Sequence, residues 1–212
     1  INIDGLGLSF VQTGDLVDQI RNVTPNLVLV AKIENSEGLK NCINIVNKSD
    51  AIMIDRGDLA AEIGFDRLFN SIVTISDQTK AHGKPLIMAT ENLETMVDRE
   101  LPSKSEVMSI AHSISIGVDC FMLSEETATA ESGQQIVSWL YKFLKSCERV
   151  NKPKSSSTVQ NKFPAIWQTL ANFEQIPIVL ITKSGYALFD YFSTIPEGEV
   201  FLVTNNLNLI KI

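Results

Sequence analysis

The sequence predicts an α/β fold in which parallel strands alternate with helices. Three observations lead to this prediction: short apolar runs recur along the chain, segments with helical spacing lie between them, and the connections are short. Several apolar runs end abruptly in charge, which is typical of buried parallel strands that deliver side chains to a site. A doubly wound sheet and a (β/α) barrel both fit, although no G-x-G-x-x-G follows the first strand, which disfavours a dinucleotide-binding sheet.

Five buried strands are predicted in the first part of the chain. Each is a short run of mainly apolar residues, bounded by polar or glycine-containing segments. Because helices separate them, neighbouring strands are expected to be parallel and joined by right-handed crossovers. The predicted strands cover residues 5–10, 27–33, 51–55, 85–89 and 119–123.

Helices are predicted between these strands and after the last one. Leu39, Ile43 and Val46, for example, have the spacing that places side chains on one face of a helix. Ser103 and Glu106 have the S-x-x-E form of a capping box, which predicts that a helix begins there. The predicted helices cover residues 14–23, 36–48, 66–82, 103–116 and 131–150.

A polar stretch divides the chain into two predicted domains. Residues 151–157 contain a proline and end in three serines, a composition typical of a linker. Residues 1–150 before it contain about five β/α units. Residues 158–212 after it form a predicted small, partial α/β C-terminal domain. Its helices are expected at 165–173 and 185–193, and its strands at 177–182 and 199–204.

The composition excludes several classes of protein. The chain has 212 residues, of which 44% are hydrophobic, so a large core is expected. Its net charge of −7, without a basic cluster, provides no electrostatic surface for nucleic acid or an anionic membrane. No apolar run approaches the roughly 20 residues of a membrane helix. Because Cys42, Cys120 and Cys147 show no metal-binding spacing, we expect a reduced, cytoplasmic protein.

Polar side chains follow most of the predicted strands, and carboxyl ends of parallel strands meet at one edge. The side chains expected to converge there are those of Lys32, Glu34, Asp58, Thr90 and Ser124. Two carboxylates from neighbouring strands suit Mg²⁺, and Lys32 beside the metal would stabilise a developing enolate or phosphoryl charge. Gly57 would allow the backbone to approach a ligand closely. In the alternative interpretation, Glu34 and Asp58 cap the following helices and pair with Lys32.

Four blocks of the sequence resemble pyruvate kinase, in that family's order and at comparable spacings. They are residues 30–35 (VAKIEN), 51–59 (AIMIDRGDL), 84–96 (KPLIMATENLETM) and 121–128 (FMLSEETA). The resemblance extends over residues 1–150 and implies a portion of a (β/α)₈ TIM barrel. It also implies a glycolytic phosphotransferase, with phosphoenolpyruvate and ADP as substrates and pyruvate and ATP as products.

The resemblance implies roles for several residues of these blocks. Lys32 would be catalytic and stabilise the enolate of pyruvate, while Glu34 and Asp58 would bind Mg²⁺ or Mn²⁺. Ser124 and Glu126 would support the site. The residues implied in substrate binding are Lys32, Arg56, Gly57, Asp58 and Thr90.

A further resemblance lies beyond the predicted linker. Residues 178–187 (IVLITKSGYA) are similar to the start of that family's C-terminal domain, where a T-K-S-G loop binds a phosphate of an allosteric sugar effector. The corresponding residues here are Thr182, Lys183, Ser184 and Gly185. The family also uses K⁺, but the family's K⁺ ligands have no counterpart among these 212 residues.

The chain departs from the family pattern in two ways. It begins at the strand that corresponds to the family's fourth, so we expect a longer N-terminal segment or a homo-oligomer to complete the barrel. These residues by themselves are therefore expected to transfer little phosphate. Acids also replace uncharged residues at Asp55, Glu91 and Glu125, and at about 6–8 Å each would oppose an anion by roughly 2–3 kcal/mol. Glu125 replaces a glycine and is expected to distort the loop before Glu126.

Two other functions compete with the kinase interpretation. A metal-dependent aldolase or lyase that forms a pyruvate enolate would use the same two carboxylates without a nucleotide. A catalytically inactive relative would act as a subunit or regulatory chain. Metal-dependent turnover of pyruvate without nucleotide would favour the aldolase or lyase, and absence of metal binding would favour the inactive relative.

Overall fold

The computed structural model describes residues 3–130, 132–150, 178–181 and 200–203. Five strands form one parallel sheet whose spatial order follows the chain. They are β1 (Gly5–Leu8), β2 (Val28–Ile33), β3 (Ala51–Asp55), β4 (Leu86–Ala89) and β5 (Cys120–Met122). A doubly wound sheet reverses its strand order at a switch point, whereas consecutive order is that of a (β/α) barrel. The α/β class is confirmed, and the strand order favours the barrel.

The strand register brings the predicted polar residues to one edge of the sheet. Ile33 pairs with Ile54, and Asp55 pairs with Ala89 in the next strand. Since all five strands are parallel, the residues that follow Ile33, Asp55 and Ala89 lie at neighbouring positions along that edge. We call this edge the mouth.

Helices follow each of these five strands. They are α1 (Gly14–Val23), α2 (Ser36–Lys40), α3 (Cys42–Lys48), α4 (Arg56–Ile63), α5 (Phe65–Ala81), α6 (Lys104–Ser115), α7 (Glu125–Ala128) and α8 (Gly133–Val150). The single helix predicted over 36–48 is divided at Asn41, whose backbone leaves the helical region. Helices α4 and α7 and a short 3₁₀ turn at Glu94–Val97 were not predicted, because each begins within a few residues of a strand end.

The core between sheet and helices holds the mouth in place. Strand β3 is buried along its whole length, and Leu29, Ile33 and Met88 of the neighbouring strands are fully buried with it. Val17 and Ile75 cover them from the helices. Burial of each such side chain stabilises the fold by roughly 1.5–3 kcal/mol. The strand ends at the mouth are therefore rigidly anchored.

The second predicted domain is described in part. Strands β6 (Ile178–Ile181) and β7 (Val200–Val203) form a two-stranded parallel sheet, at positions where strands were predicted. The predicted linker 151–157, the helices at 165–173 and 185–193 and the loop Thr182–Gly185 lie outside the described residues. Among the residues described, no helix is both long and apolar enough to cross a membrane.

Candidate active site at the carboxyl ends of the strands

Lys32 lies at the centre of the polar groups of the mouth. Its ammonium nitrogen is 2.5 Å from Glu34 Oε1 and 3.4 Å from Asp55 Oδ2, and it donates a hydrogen bond to Ser9 Oγ. Burial alone would lower the pKa of Lys32, but its contacts with Glu34 and Asp55 outweigh burial and raise that pKa above its ordinary value. Lys32 is therefore a fixed positive charge at neutral pH.

Glu34 is buried, with 1% of its surface exposed. Its Oε2 accepts a hydrogen bond from the Phe10 backbone N–H, at the end of β1. Its Oε1 accepts no well-directed hydrogen bond, and the Lys32 ammonium approaches it as an ion pair. The helix that follows is capped by Asn35, whose side chain accepts from the Gly38 N–H. Glu34 therefore faces the mouth and is not the helix cap of the alternative interpretation.

Asp55 connects the ends of β3 and β4. Its Oδ1 accepts a hydrogen bond of 2.9 Å from the Thr90 hydroxyl, and the same hydroxyl accepts from the Gly57 N–H at 3.3 Å. The side chain of Asp55, and not that of Asp58, caps helix α4, through a long contact of 3.5 Å to the Asp58 N–H. The Asp58 carboxylate is exposed at the mouth.

Three carboxylates form a group with the spacing of a cation site. Glu34, Asp55 and Asp58 each offer one oxygen, and these oxygens lie within 4.8 Å of one another. Around octahedral Mg²⁺, adjacent oxygens lie about 3 Å apart and opposite oxygens about 4.2 Å apart, so the three side chains would have to move closer together to bind one ion. Hard oxygen ligands and the buried Oε1 of Glu34 fit Mg²⁺ or Mn²⁺. The sequence analysis predicted Glu34 and Asp58 as metal ligands and missed Asp55. The position of Asp55, three residues before Asp58, could have indicated that the two carboxylates lie close together.

Arg56 braces the mouth from inside the protein. Its guanidinium donates to the Thr90 carbonyl at 2.6 Å, to Asn92 Oδ1 at 2.8 Å and to Ser109 Oγ at 2.7 Å. Burial lowers the pKa of Arg56 below its ordinary value despite several nearby carboxylates, of which Glu91 is the foremost. In this structure the guanidinium contacts the loop after β4 and Ser109 of helix α6, and the expected contact of Arg56 with substrate stays a prediction.

Glu126 is also a brace. It is buried, and its two carboxylate oxygens accept hydrogen bonds from the Leu93 N–H at 3.0 Å and the Ser124 N–H at 2.6 Å. The loops after β4 and β5 are thereby joined. Glu125 is the exposed first residue of α7 and lacks a positive φ, and the expected distortion of the loop before Glu126 stays a prediction.

Backbone strain in the described part of the chain lies at the mouth. The non-glycine residues with positive φ there are Phe10, Thr90 and Glu91, with φ of 52°, 59° and 51°. Residues in this conformation cost of order 1–3 kcal/mol each and are concentrated at functional sites. Sequence patterns carried no signal for these angles. Arg56 holds the strained Thr90 by its carbonyl, and Glu34 holds Phe10 by its N–H.

The fold and the site together define a (β/α)-barrel segment with a lysine and a carboxylate group at its carboxyl mouth. The family model described as "Pyruvate kinase, barrel domain" matches residues 1–137. The chain belongs to the pyruvate kinase family.

Individual relatives agree with this assignment. The chain is 34% identical to "Pyruvate kinase" of Dictyostelium discoideum over 169 residues, which are 78% of this chain and 33% of the relative. It is 38% identical to "Pyruvate kinase" of Eimeria tenella over 137 residues, 63% of this chain and 26% of the relative. The crystal structure of a pyruvate kinase from Cryptosporidium parvum matches with a TM-score of 0.83 and 27% identity, over 96% of this chain and 46% of that one. The chain thus spans a third or less of these two curated relatives.

Proposed function

We propose that the protein transfers a phosphoryl group from phosphoenolpyruvate to ADP with the help of Mg²⁺ or Mn²⁺. The observation that carries this proposal is the position of Lys32, between Glu34 and Asp55 at the carboxyl ends of neighbouring strands. Together with membership of the pyruvate kinase family, this arrangement supports chemistry in which negative charge develops beside a fixed cation.

Each group at the mouth has a part in the proposed reaction. The bond between phosphorus and the enol oxygen breaks, phosphorus bonds to a terminal oxygen of ADP, and the enolate carbon takes up a proton to give pyruvate. Lys32 stabilises the charge on the enolate oxygen. Glu34 and Asp58 would hold a divalent cation, which would supply a Lewis acid for the substrate oxygens. Gly57 and Thr90 would line the space beside this cation. A Cβ atom added at Gly57 would lie 3.6 Å from Glu91 Oε1.

Arg56 and Glu126 support the reaction indirectly in this proposal. Both are buried and hydrogen-bonded to the loops after β4 and β5, so they hold Thr90 and Ser124 in position. Catalytic groups need this support because small displacements of a reacting group cost large factors in rate.

A coupled assay of pyruvate release tests the proposal. The protein in its native length and assembly is supplied with phosphoenolpyruvate and ADP, and the rate is expected to depend on Mg²⁺ or Mn²⁺. Lys32→Arg keeps the positive charge but moves it, and is expected to lower kcat by about 10²-fold or more. Lys80→Arg is the matched control, because Lys80 pairs with Asp119 at the opposite end of the sheet.

Two outcomes would contradict the kinase proposal. Metal-dependent consumption of pyruvate without nucleotide would identify an aldolase or lyase that uses the same carboxylates. Failure to bind Mn²⁺, with Glu34→Gln and Asp58→Asn indistinguishable from the unaltered protein, would identify a catalytically inactive relative.

A further inference from the structure

We propose that Asp55 is a third carboxylate ligand of the divalent cation, and that it determines how the site divides its affinity between cation and anionic substrate. This inference rests on the proposed function, because it concerns the same cation. It goes further by assigning to Asp55 a role in which the site binds the cation before any substrate is present.

The position of Asp55 supports this role. Only 6% of its surface is exposed, and it lies within 4.8 Å of both other carboxylates. Its two oxygens have different surroundings, since Oδ1 accepts from Thr90 and Oδ2 lies on the side of Lys32, 3.4 Å from the ammonium. The Lys32 ammonium contacts both Glu34 Oε1 and Asp55 Oδ2, so these two oxygens face the same positive charge. A metal cation that contacts Glu34 would therefore also lie near Asp55.

Charge balance indicates what Asp55 adds. Three carboxylates and the Lys32 ammonium carry a net charge of −2, which one divalent cation neutralises completely. With Glu34 and Asp58 alone, the same cation and ammonium would leave a net charge of +1 for an anionic substrate. Mg²⁺ commonly uses one or two protein carboxylates and substrate oxygens. The third carboxylate therefore favours cation binding without substrate and weakens the attraction for the anion.

A purely structural role explains the Asp55 carboxylate less well. Its cap contact with the Asp58 N–H is 3.5 Å long, at the limit of a hydrogen bond. An amide oxygen would accept equally well from the Thr90 hydroxyl, so neither contact requires a negative charge. Burying a third acid beside Glu34 is unfavourable unless a further cation compensates it. Asp55 also pairs with Lys32, but that ammonium is shared with the buried Glu34, so the two carboxylates keep an excess of negative charge that a divalent cation would compensate.

Mn²⁺ titration of the protein without substrate tests the inference. Asp55→Asn removes the charge and keeps the shape, and is expected to weaken Mn²⁺ binding about tenfold or more. At saturating Mn²⁺, the same substitution is expected to tighten phosphoenolpyruvate binding about tenfold. Asp50→Asn is the matched control at the other end of the same strand, where the carboxylate contacts Arg21 and the Leu29 N–H. Its Mn²⁺ affinity is expected to be unchanged.

The outcomes separate this inference from the proposed function. If Glu34→Gln loses Mn²⁺ and Asp55→Asn does not, the role of Asp55 is overturned and the kinase proposal stands. If neither Glu34→Gln nor Asp58→Asn changes the affinity, both proposals fail.

A second measurement decides the matter should Asp55→Asn not fold. The water ligands of Mn²⁺ on the unaltered protein can be counted by electron paramagnetic resonance in isotope-enriched water. Three protein oxygens leave about three water positions in an octahedral shell, and two leave about four. About three waters would support Asp55 as a ligand, and four or more would overturn it.

Discussion

Acidic residues at the two ends of the five-stranded sheet differ in their partners. At the end where the strands begin, Asp50 precedes β3, pairs with Arg21 at 2.5 Å and accepts from the Leu29 N–H of β2 at 2.7 Å. Asp119 repeats this arrangement two strands further on, where it precedes β5, pairs with Lys80 and accepts from the Leu86 N–H of β4. Asp50 and Asp119 thus each have one cation and one backbone donor.

At the mouth, by contrast, carboxylates outnumber cations. Glu34, Asp55 and Asp58 lie together, and within the described residues the ion pairs to Glu34 and Asp55 both come from Lys32. Paired acids at one end stabilise the strand starts, whereas the excess of acids at the other end fits the proposed binding of an external cation. This division agrees with (β/α) barrels in general, where one face serves stability and the other function.

Removal of the shared cation is expected to have the largest effect on stability. Lys32→Met leaves Glu34, whose side chain is fully buried, beside Asp55 without an ammonium. Breaking a buried pair in this way costs about 3–5 kcal/mol, which urea denaturation would measure. Added Mn²⁺ is expected to restore more stability to this variant than to the unaltered protein.

Lys80→Met is the control for that comparison, since its partner Asp119 is about half exposed. Exposed pairs contribute about 0–1 kcal/mol, and no recovery with Mn²⁺ is expected. Equal losses in the two variants would mean that the two ends of the sheet do not differ.

The brace behind the mouth is expected to have the next largest effect. Arg56→Lys keeps the charge but loses the planar donors that hold Thr90, Asn92 and Ser109, which costs about 2–3 kcal/mol. Arg21→Lys at the opposite end is expected to cost less than about 1 kcal/mol, because Arg21 is partly exposed. Thermal or urea unfolding distinguishes the two. A loss as large for Arg21→Lys would refute the assignment of Arg56 as the internal brace.

Acids at the two ends of strand β3 are expected to differ in the sign of their effects. Asp50→Ala removes a charged acceptor from Arg21 and the Leu29 N–H, and a loss of about 1.5 kcal/mol is expected. Asp55→Asn gives up the 3.4 Å contact with Lys32 but leaves that ammonium 2.5 Å from Glu34. It also relieves repulsion from Glu34 and keeps the acceptor for Thr90, so stability without metal is expected to stay the same or rise. Urea midpoints measured without and with Mn²⁺ test this. Destabilisation by Asp55→Asn in the absence of metal would refute it.

Much of the fold could be predicted because apolar periodicity reports burial directly. The strands at 51–55 and the helix at 14–23 coincide with the structure, since an uninterrupted buried run and a regular apolar face leave little ambiguity. The strand predicted over 5–10 ends at Leu8, because Phe10 adopts a positive φ that no local pattern indicates. Helix α4 was missed for a related reason, as it begins at Arg56 without an intervening loop.

The candidate site was predictable as far as it depends on strand ends. Lys32, Glu34 and Asp58 are brought together because parallel strands share one carboxyl edge. The directions of Arg56 and Glu126 were not predictable, because they depend on hydrogen bonds to loops distant in sequence, such as Arg56 to Ser109. The grouping of Asp55 with Glu34 and Asp58 was also missed, since an acid that ends a buried strand resembles a helix cap equally well.

The smallest expected effects on stability concern Glu106 and Glu94, near the loop after β4. Glu106 has hydrogen-bond donors as partners, whereas Glu94 lies near other carboxylates. Glu106 accepts from Thr95 and Ser103, and these hydrogen bonds outweigh burial and lower the pKa of Glu106 below its ordinary value. The pKa of Glu94 is raised by burial and then by Glu91 and Glu126. Glu106→Gln is therefore expected to destabilise the protein by about 1 kcal/mol at neutral pH, and Glu94→Gln to stabilise it slightly.

The stability changes caused by Glu106→Gln and Glu94→Gln are expected to depend on pH in different ways. A depressed pKa means that the stabilisation by Glu106 is present above the ordinary carboxyl value of 4.5 and is lost as the pH falls through the folded-state pKa. The deficit of Glu106→Gln should therefore shrink on acidification below that value. A raised pKa means that Glu94 loses stability as the pH rises from 4.5 through its folded-state pKa, so the gain of Glu94→Gln should appear over that interval. Urea midpoints between about pH 3 and pH 7 would show the two differences. Parallel pH profiles for the two variants would mean that hydrogen-bond partners do not distinguish these acids.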